Sequence, residues 1–217
     1  MQIKNIVFDL GRVLIDWRPY EYMAQEFGDE VATFLWKNVF DTIEWNLMDK
    51  GEITEEELWN MFIERFPHYT EYLKKMSEKV PELLIPIEEN VKLLKPLKEM
   101  GYKLYVLSNF SRGNFKYVYE KFSFFKLFDG MVISGFVRKI KPDVEIYQIL
   151  MENFNINPVE SLFIDDREDN TRTAKLLGFN TIHLPDHTLL RIELEKVLDE
   201  QINISNSEVE IKEAVYE

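Results

Sequence analysis

Short apolar runs alternate with amphipathic stretches through most of this chain. The first run, Ile6-Val7-Phe8, is apolar at every position, the pattern of a strand buried on both faces of a parallel sheet. It predicts a strand over residues 3–10. Further strands are predicted over 103–107, 130–134, 161–164 and 181–183, with helices over 87–100, 114–122, 144–154, 171–177 and 188–200. Gly101 and Gly178 close two of those helices. Strands separated by helices of this length need right-handed crossovers and build a parallel sheet.

Between about Pro19 and Pro81 the alternation stops and the pattern is helical. Trp36, Phe40, Trp45, Leu58, Trp59, Phe62 and Phe66 stand among polar residues. Thr54 followed three residues later by Glu57 forms a capping box at a helix start. Pro67 and Pro81 mark later breaks. This block lies between the first and second strands, so it is an insertion folded beside the sheet. The expected division is a core of residues 1–16 and 84–200, a helical insertion of 17–83, and an acidic tail over 201–217.

Hydrophobic residues make up 46% of the 217 residues, enough for a sizeable core. A formal charge of −13 repels phosphate backbones and anionic lipid, so nucleic-acid and membrane partners are not expected. No apolar run approaches the ~20 residues that span a bilayer. Cysteine is absent, which excludes disulfides, thiolate metal sites and thiol nucleophiles. With the first strand starting at once and no signal segment ahead of it, the expected location is the cytoplasm. The pattern leaves the oligomeric state open.

Three strand ends carry polar groups of matching type: Asp9 after the first, Ser108-Asn109 after the second, and Asp165-Asp166 after a later one. In a parallel sheet these ends share one edge, where open α/β sheets bind ligands. Asp9 with Asp165 or Asp166 makes a hard oxygen site suited to Mg²⁺. A hydroxyl at Ser108 and a cation at Lys141, just before Pro142, complete a phosphate site. Each group alone has a structural explanation: a turn cap for Asp9, a common turn for Ser108-Asn109, a helix start for Lys141-Pro142-Asp143, a solvated turn for Asp165-Asp166. Their order at successive strand ends favours the chemical reading.

These segments resemble the four motifs of the haloacid dehalogenase-like (HAD) hydrolase superfamily. Phe8-Asp9-Leu10-Gly11-Arg12-Val13 is similar to the first, Leu107-Ser108-Asn109 to the second, Lys141-Pro142-Asp143 to the third and Phe163-Ile164-Asp165-Asp166 to the fourth. Within the superfamily the chain resembles the glucose-1-phosphate phosphatase and epoxide-hydrolase N-terminal group. That likeness rests on Asp9-Leu10-Gly11, Gly51-Glu52-Ile53-Thr54 and Asp165-Asp166-Arg167-Glu168-Asp169-Asn170. The resemblance implies a Rossmann-like α/β fold whose helical insertion is a cap. It implies a nucleophilic Asp9 that forms an aspartyl-phosphate. Mg²⁺ would be held by Asp9, Asp166 and the Gly11 carbonyl, with Asp165 and Asn170 at or beside the metal. Ser108 and Lys141 would grip the phosphoryl oxygens and Asn109 would orient the substrate.

The family's phosphatases mostly carry a second Asp two residues after the nucleophile, where this chain has Gly11. Losing a general acid/base costs about 10²–10⁴-fold. Water, the substrate or another acid such as Asp16 would have to substitute, or a good leaving group such as an anomeric phosphate would reduce the need. Trp17, Arg18, Trp45 and Asn46 are candidates to line the substrate site; for Trp17 and Trp45 a place in the core of the insertion fits equally, while Trp36 and Trp59 read as that core. Arg12 and Arg112 flank motif residues; contact with phosphate and solvation both fit them. His68, His183 and His187 form no ligand set. The expected function is Mg²⁺-dependent hydrolysis of a small phosphorylated metabolite, a sugar phosphate, with a weakly active binding or regulatory protein on the same scaffold as the alternative.

Overall fold

The computed structural model describes residues 2–199 and residue 202. The tail expected over 201–217 therefore lies, apart from Ile202, outside the described residues. Seven strands are present among those described: β1 (Asn5–Phe8), β2 (Ile15–Asp16), β3 (Ile85–Pro86), β4 (Lys103–Ser108), β5 (Gly130–Ile133), β6 (Ser161–Asp165) and β7 (Asn180–His183). Five form one sheet in the order β5-β4-β1-β6-β7, with every pairing parallel. β1 is central, with β4 on one side and β6 on the other, so a topological switch point falls beside it. Phe8 lies opposite Val106 and Ile164. One step further along the register sets Asp9 level with Leu107 and Asp165, and the Asp9 N–H donates to the Ile164 carbonyl at 2.9 Å.

Period-2 alternation explains the continuous apolar strands. Ile6, Phe8, Leu104, Val106, Leu162 and Ile164 pack into one core. Val7, Tyr105, Leu107 and Phe163 pack into another on the opposite face. Both faces are covered by helices, so no position on β1 needs a polar side chain until the strand ends.

The helical block comprises α1 (Pro19–Phe27), α2 (Asp29–Leu35), a π-helical turn (Trp36–Phe40), α3 (Ile43–Asp49), α4 (Glu55–Arg65) and α5 (Thr70–Leu83). It has its own core of Met23, Leu35, Trp45, Leu58, Phe62, Leu73 and Met76. Trp17 packs against this core and the sheet's core alike. The capping box at Thr54 and Glu57 forms as the sequence predicts. The short antiparallel pair β2–β3 joins the two chain crossings between the helical lobe and the sheet. Pro81 does not break its helix: it sits in the last turn of α5, which ends at Leu83.

The remaining helices are α6 (Glu88–Val91), α7 (Leu94–Glu99), α8 (Arg112–Lys121), α9 (Ser134–Val137), α10 (Val144–Phe154), α11 (Glu168–Leu176) and α12 (Leu190–Leu198). The helix expected over 87–100 is thus two. Pro96 has no N–H and is tolerated only in a first turn, so α7 restarts at Leu94. Gly101 and Gly178, at φ +94° and +96°, stop α7 and α11 as expected. No helix among the described residues is long and apolar enough to cross a membrane.

Candidate active site

Apolar anchors shape the loop after β1. Leu10, Val13, Leu14 and Ile15 are fully buried, and the Leu10 carbonyl accepts N–H groups from Val13, Leu14 and Ile15. Gly11 and Arg12 are left facing a cavity of about 490 Å³. Arg12, not Gly11, carries the left-handed backbone of this turn, at φ +57°. A Cβ built on Gly11 meets nothing within 4 Å. The protein's own atoms therefore require glycine here neither by conformation nor by close packing.

The three central strand ends bring the expected side chains together. Oxygens of Asp9, Asp165 and Asp166 lie within 4.8 Å of one another. The Lys141 ammonium stands between two of them, 2.8 Å from Asp9 Oδ1 and 2.6 Å from Asp165 Oδ2, and also donates to the Leu107 carbonyl at 2.8 Å. Lys141 comes from the loop after α9. Burial works against its charge, but Asp165 and Asp9 outweigh burial and hold its pKa above the ordinary value. Asp9 moves up to about 7: burial is the main cause, Lys141 opposes it, and Asp165 and Asp166 add to it. Asp166 is also raised, again chiefly by burial.

Asp165 and Asp166 have different surroundings. Asp165 is fully buried and accepts from Lys141, from the Arg167 N–H at 2.9 Å and from the Asn170 amide at 2.9 and 3.0 Å. Asp166 lines the cavity, with Arg12 Nε at 3.7 Å from its Oδ2. The chemistry of this donor set fits a divalent cation: three carboxylates face one ammonium, all their donors are oxygen, and burial with mutual repulsion resists their charge. Of the three, Asp9 and Asp166 line the cavity and would hold such a cation.

The supporting contacts are long-range. Asn109 Nδ2 donates to the Lys141 carbonyl at 3.0 Å and its Oδ1 accepts the Lys141 N–H at 2.8 Å, so this amide holds the Lys141 backbone, and the residue also lines the cavity. The Tyr147 hydroxyl donates to the Asn170 carbonyl at 2.9 Å beneath the site. Ser108 is buried at the end of β4, and its hydroxyl and that of Ser111 find no hydrogen-bond partner among the described residues. A buried hydroxyl without a partner is costly.

The helical lobe supplies Trp17, Trp36, Phe40, Asp41, Thr42, Trp45, Asn46 and Asp49 to the cavity wall. Trp17, Trp45 and Asn46 line the cavity, and Trp17 and Trp45 also pack in the core of the lobe. Trp36, expected in the lobe's core, lines the cavity and is partly exposed; Trp59 is core. Arg18 is not brought to the cavity: its guanidinium pairs with Asp16 and its side chain is exposed. That pairing also occupies Asp16, the substitute acid considered above. Arg112 is tied to the Gly135 carbonyl. His183 Nε2 lies 3.0 Å from the Asp166 carbonyl oxygen, a contact to the acidic cluster that the sequence did not signal. Asp49, Ser111 and Ser134 were also missed, since their significance comes only from contacts between lobe and sheet.

A parallel sheet with a switch point, a carboxylate nucleophile candidate and a lysine shared between carboxylates defines a class of α/β hydrolytic enzymes. The chain matches the family described as haloacid dehalogenase-like hydrolase over residues 6–184, and it belongs to that family. It is 24% identical over 195 residues to a sesquiterpene phosphatase from Aspergillus oryzae, covering 90% of this chain and 96% of that one. It is 25% identical over 196 residues to a phosphorylated carbohydrates phosphatase from Thermotoga maritima, covering 86% and 87%. Among solved structures it is similar to a HAD family enzyme from Bacteroides thetaiotaomicron in complex with magnesium and inorganic phosphate. That likeness has a TM-score of 0.61 and 29% identity, covering 83% of this chain and 93% of that one.

Proposed function

We propose that this enzyme hydrolyses a phosphomonoester of a small metabolite in a Mg²⁺-dependent reaction, passing the phosphoryl group through Asp9. The observation that carries this reading is the placement of Asp9 against Lys141, with Asp165 and Asp166 alongside, at the floor of one cavity. Asp9 attacks phosphorus and forms the aspartyl-phosphate, which splits one hard step into two. Lys141, held by Asp165 and Asn109, balances charge on the transferring group, where most catalysis of phosphoryl transfer arises. The Ser108 hydroxyl donates to a phosphoryl oxygen. Mg²⁺, held by Asp9 and Asp166 with the Gly11 carbonyl nearby, would supply further charge stabilisation when bound. The helical lobe acts as the cap that covers the cavity and selects the leaving group.

A sugar phosphate, including an anomeric sugar 1-phosphate, suits the polar groups of Asp41, Thr42 and Asn46 beside the faces of Trp17 and Trp45. A second reading has its own support: Trp17, Trp36, Phe40 and Trp45 form a connected aromatic wall, with ring centroids 4.6–6.2 Å apart between neighbours. Such a wall suits a terpenyl phosphate, and the Aspergillus relative is a sesquiterpene phosphatase. Phosphate release from glucose 1-phosphate and from farnesyl phosphate, each with Mg²⁺, separates the two. Faster turnover of the sugar ester supports the first reading; faster turnover of the farnesyl ester replaces it with the second.

A further inference from the structure

Position 11 leaves the proton-transfer step without a side chain, and the cavity wall offers a replacement from the other lobe. Asp49 is the last residue of α3 and lines the same cavity as Asp9 and Gly11. The Ser111 backbone and the Trp45 side chain, one helical turn earlier, lie close enough to its carboxylate to favour its charge. The Asp49 carbonyl accepts the Ser134 hydroxyl, which in turn accepts the Phe110 N–H at 2.8 Å. Just beyond, Gly51 approaches Gly135 so closely that a Cβ would lie 2.2 Å from the Gly135 oxygen. The end of α3 is thereby fixed against the first turn of α9, which follows β5 directly, and through Ser134 against the loop after β4.

Building on the phosphatase reading above, we propose that Asp49 is the acid and base of the reaction, taking over from the carboxylate that Gly11 does not supply. In the first step the Asp9 oxygen bonds to phosphorus, the phosphorus–oxygen bond to the leaving group breaks, and that oxygen takes the Asp49 proton. In the second, water attacks phosphorus, its proton goes to the Asp49 carboxylate, and the bond from Asp9 to phosphorus breaks. Asp49 thus ends as it began.

The charge around Asp49 suits this cycle. Its pKa moves up to about 7, mainly through burial, with Glu55 and Asp9 adding repulsion while Ser111 and Trp45 oppose it. A carboxyl poised near neutrality can both give and take a proton. The other carboxyls nearby suit the role less well: Asp16 is engaged by Arg18, and Asp41 is exposed. The open space beside Gly11 is where the substrate's leaving oxygen can approach Asp49.

Phenyl phosphate and 4-nitrophenyl phosphate have similar shapes but differ in how much their leaving oxygen needs a proton. The test compares kcat/KM for both on wild type and Asp49→Asn with saturating Mg²⁺. Asparagine keeps the size and polarity of the side chain but cannot donate a carboxyl proton. The expected result is a fall of at least about 10²-fold with phenyl phosphate and a much smaller fall with 4-nitrophenyl phosphate. Adding Gly11→Asp to Asp49→Asn is expected to recover turnover of phenyl phosphate. The ratio between substrates cancels any loss of folded protein. Equal falls on both esters, or no fall on either, would overturn the role of Asp49 and leave the phosphatase reading standing. No turnover of either ester by wild type would overturn both.

Discussion

The side-chain amide of Asn109 brackets the backbone of Lys141, accepting its N–H at 2.8 Å and donating to its carbonyl at 3.0 Å. The residue after β4 thereby sets the position of a lysine 32 positions away, whose ammonium lies between Asp9 and Asp165. Substituting Asn109→Ala removes both bonds and strands two backbone groups. The expected cost is about 2 kcal/mol of folding stability, read by urea unfolding. A fall in kcat larger than any rise in KM should accompany it if, as proposed, the lysine acts on the transferring group. An unchanged kcat would show that Lys141 is placed by other contacts.

The acidic cluster makes stability depend on pH in a definite direction. The Asp9 pKa rises from 3.8 unfolded to about 7 in the metal-free fold. Between those values the folded protein holds a proton that the unfolded chain has released, so stability falls as pH rises from about 4 to 7. Bound Mg²⁺ needs the carboxylates ionised and stabilises only the folded state. The rise in melting temperature on adding Mg²⁺ is therefore expected to be larger at about pH 8 than at about pH 5.5. Equal rises at both would contradict this linkage.

Two glycines should respond oppositely to alanine. At Gly51, φ is +73° and a Cβ would lie 2.2 Å from the Gly135 oxygen, a backbone atom that cannot swing aside. Gly51→Ala is expected to cost more than about 2 kcal/mol. Gly11→Ala, with nothing within 4 Å, is expected to change stability by less than about 1 kcal/mol. Chemical denaturation of both variants checks the pair, and a large loss at Gly11 would mean that the turn after β1 needs glycine after all.

The lobe and the sheet are also joined at Glu55, whose Oε1 accepts the Gly113 N–H at 2.7 Å and the Asn114 N–H at 3.2 Å in the first turn of α8. A carboxylate there satisfies amides that the helix leaves unpaired and complements its dipole. Glu55→Ala is expected to cost about 1 kcal/mol and to speed hydrogen exchange at Gly113 and Asn114. Unchanged exchange at those amides would place the contact outside the folded ensemble in solution.

Much of the site was legible because each chemical group ends an apolar run. Asp9 follows β1, and Ser108 and Asp165 are the last residues of β4 and β6, all strands buried on both faces, so strand order alone makes them neighbours. Local patterns failed where a distant contact decides a side chain's role. Ser134 matters because its hydroxyl reaches the Asp49 carbonyl 85 positions away. Arg18 was misread because Asp16, two residues back, takes its guanidinium. Trp36 was misread because the π-helical turn Trp36–Phe40 departs from the 3.6-residue spacing on which a core assignment rests. Pro96 splits a helix that the hydrophobic pattern alone reads as continuous.

The central claim is that Asp9 carries the phosphoryl group in a Mg²⁺-dependent hydrolysis. Phosphate release from 4-nitrophenyl phosphate by wild type and Asp9→Asn, each with Mg²⁺ and with a chelator, tests it most directly. The predicted result is release by wild type with Mg²⁺ alone, and none above background in the other three conditions. Release that persists in Asp9→Asn, or that is indifferent to the chelator, would contradict it.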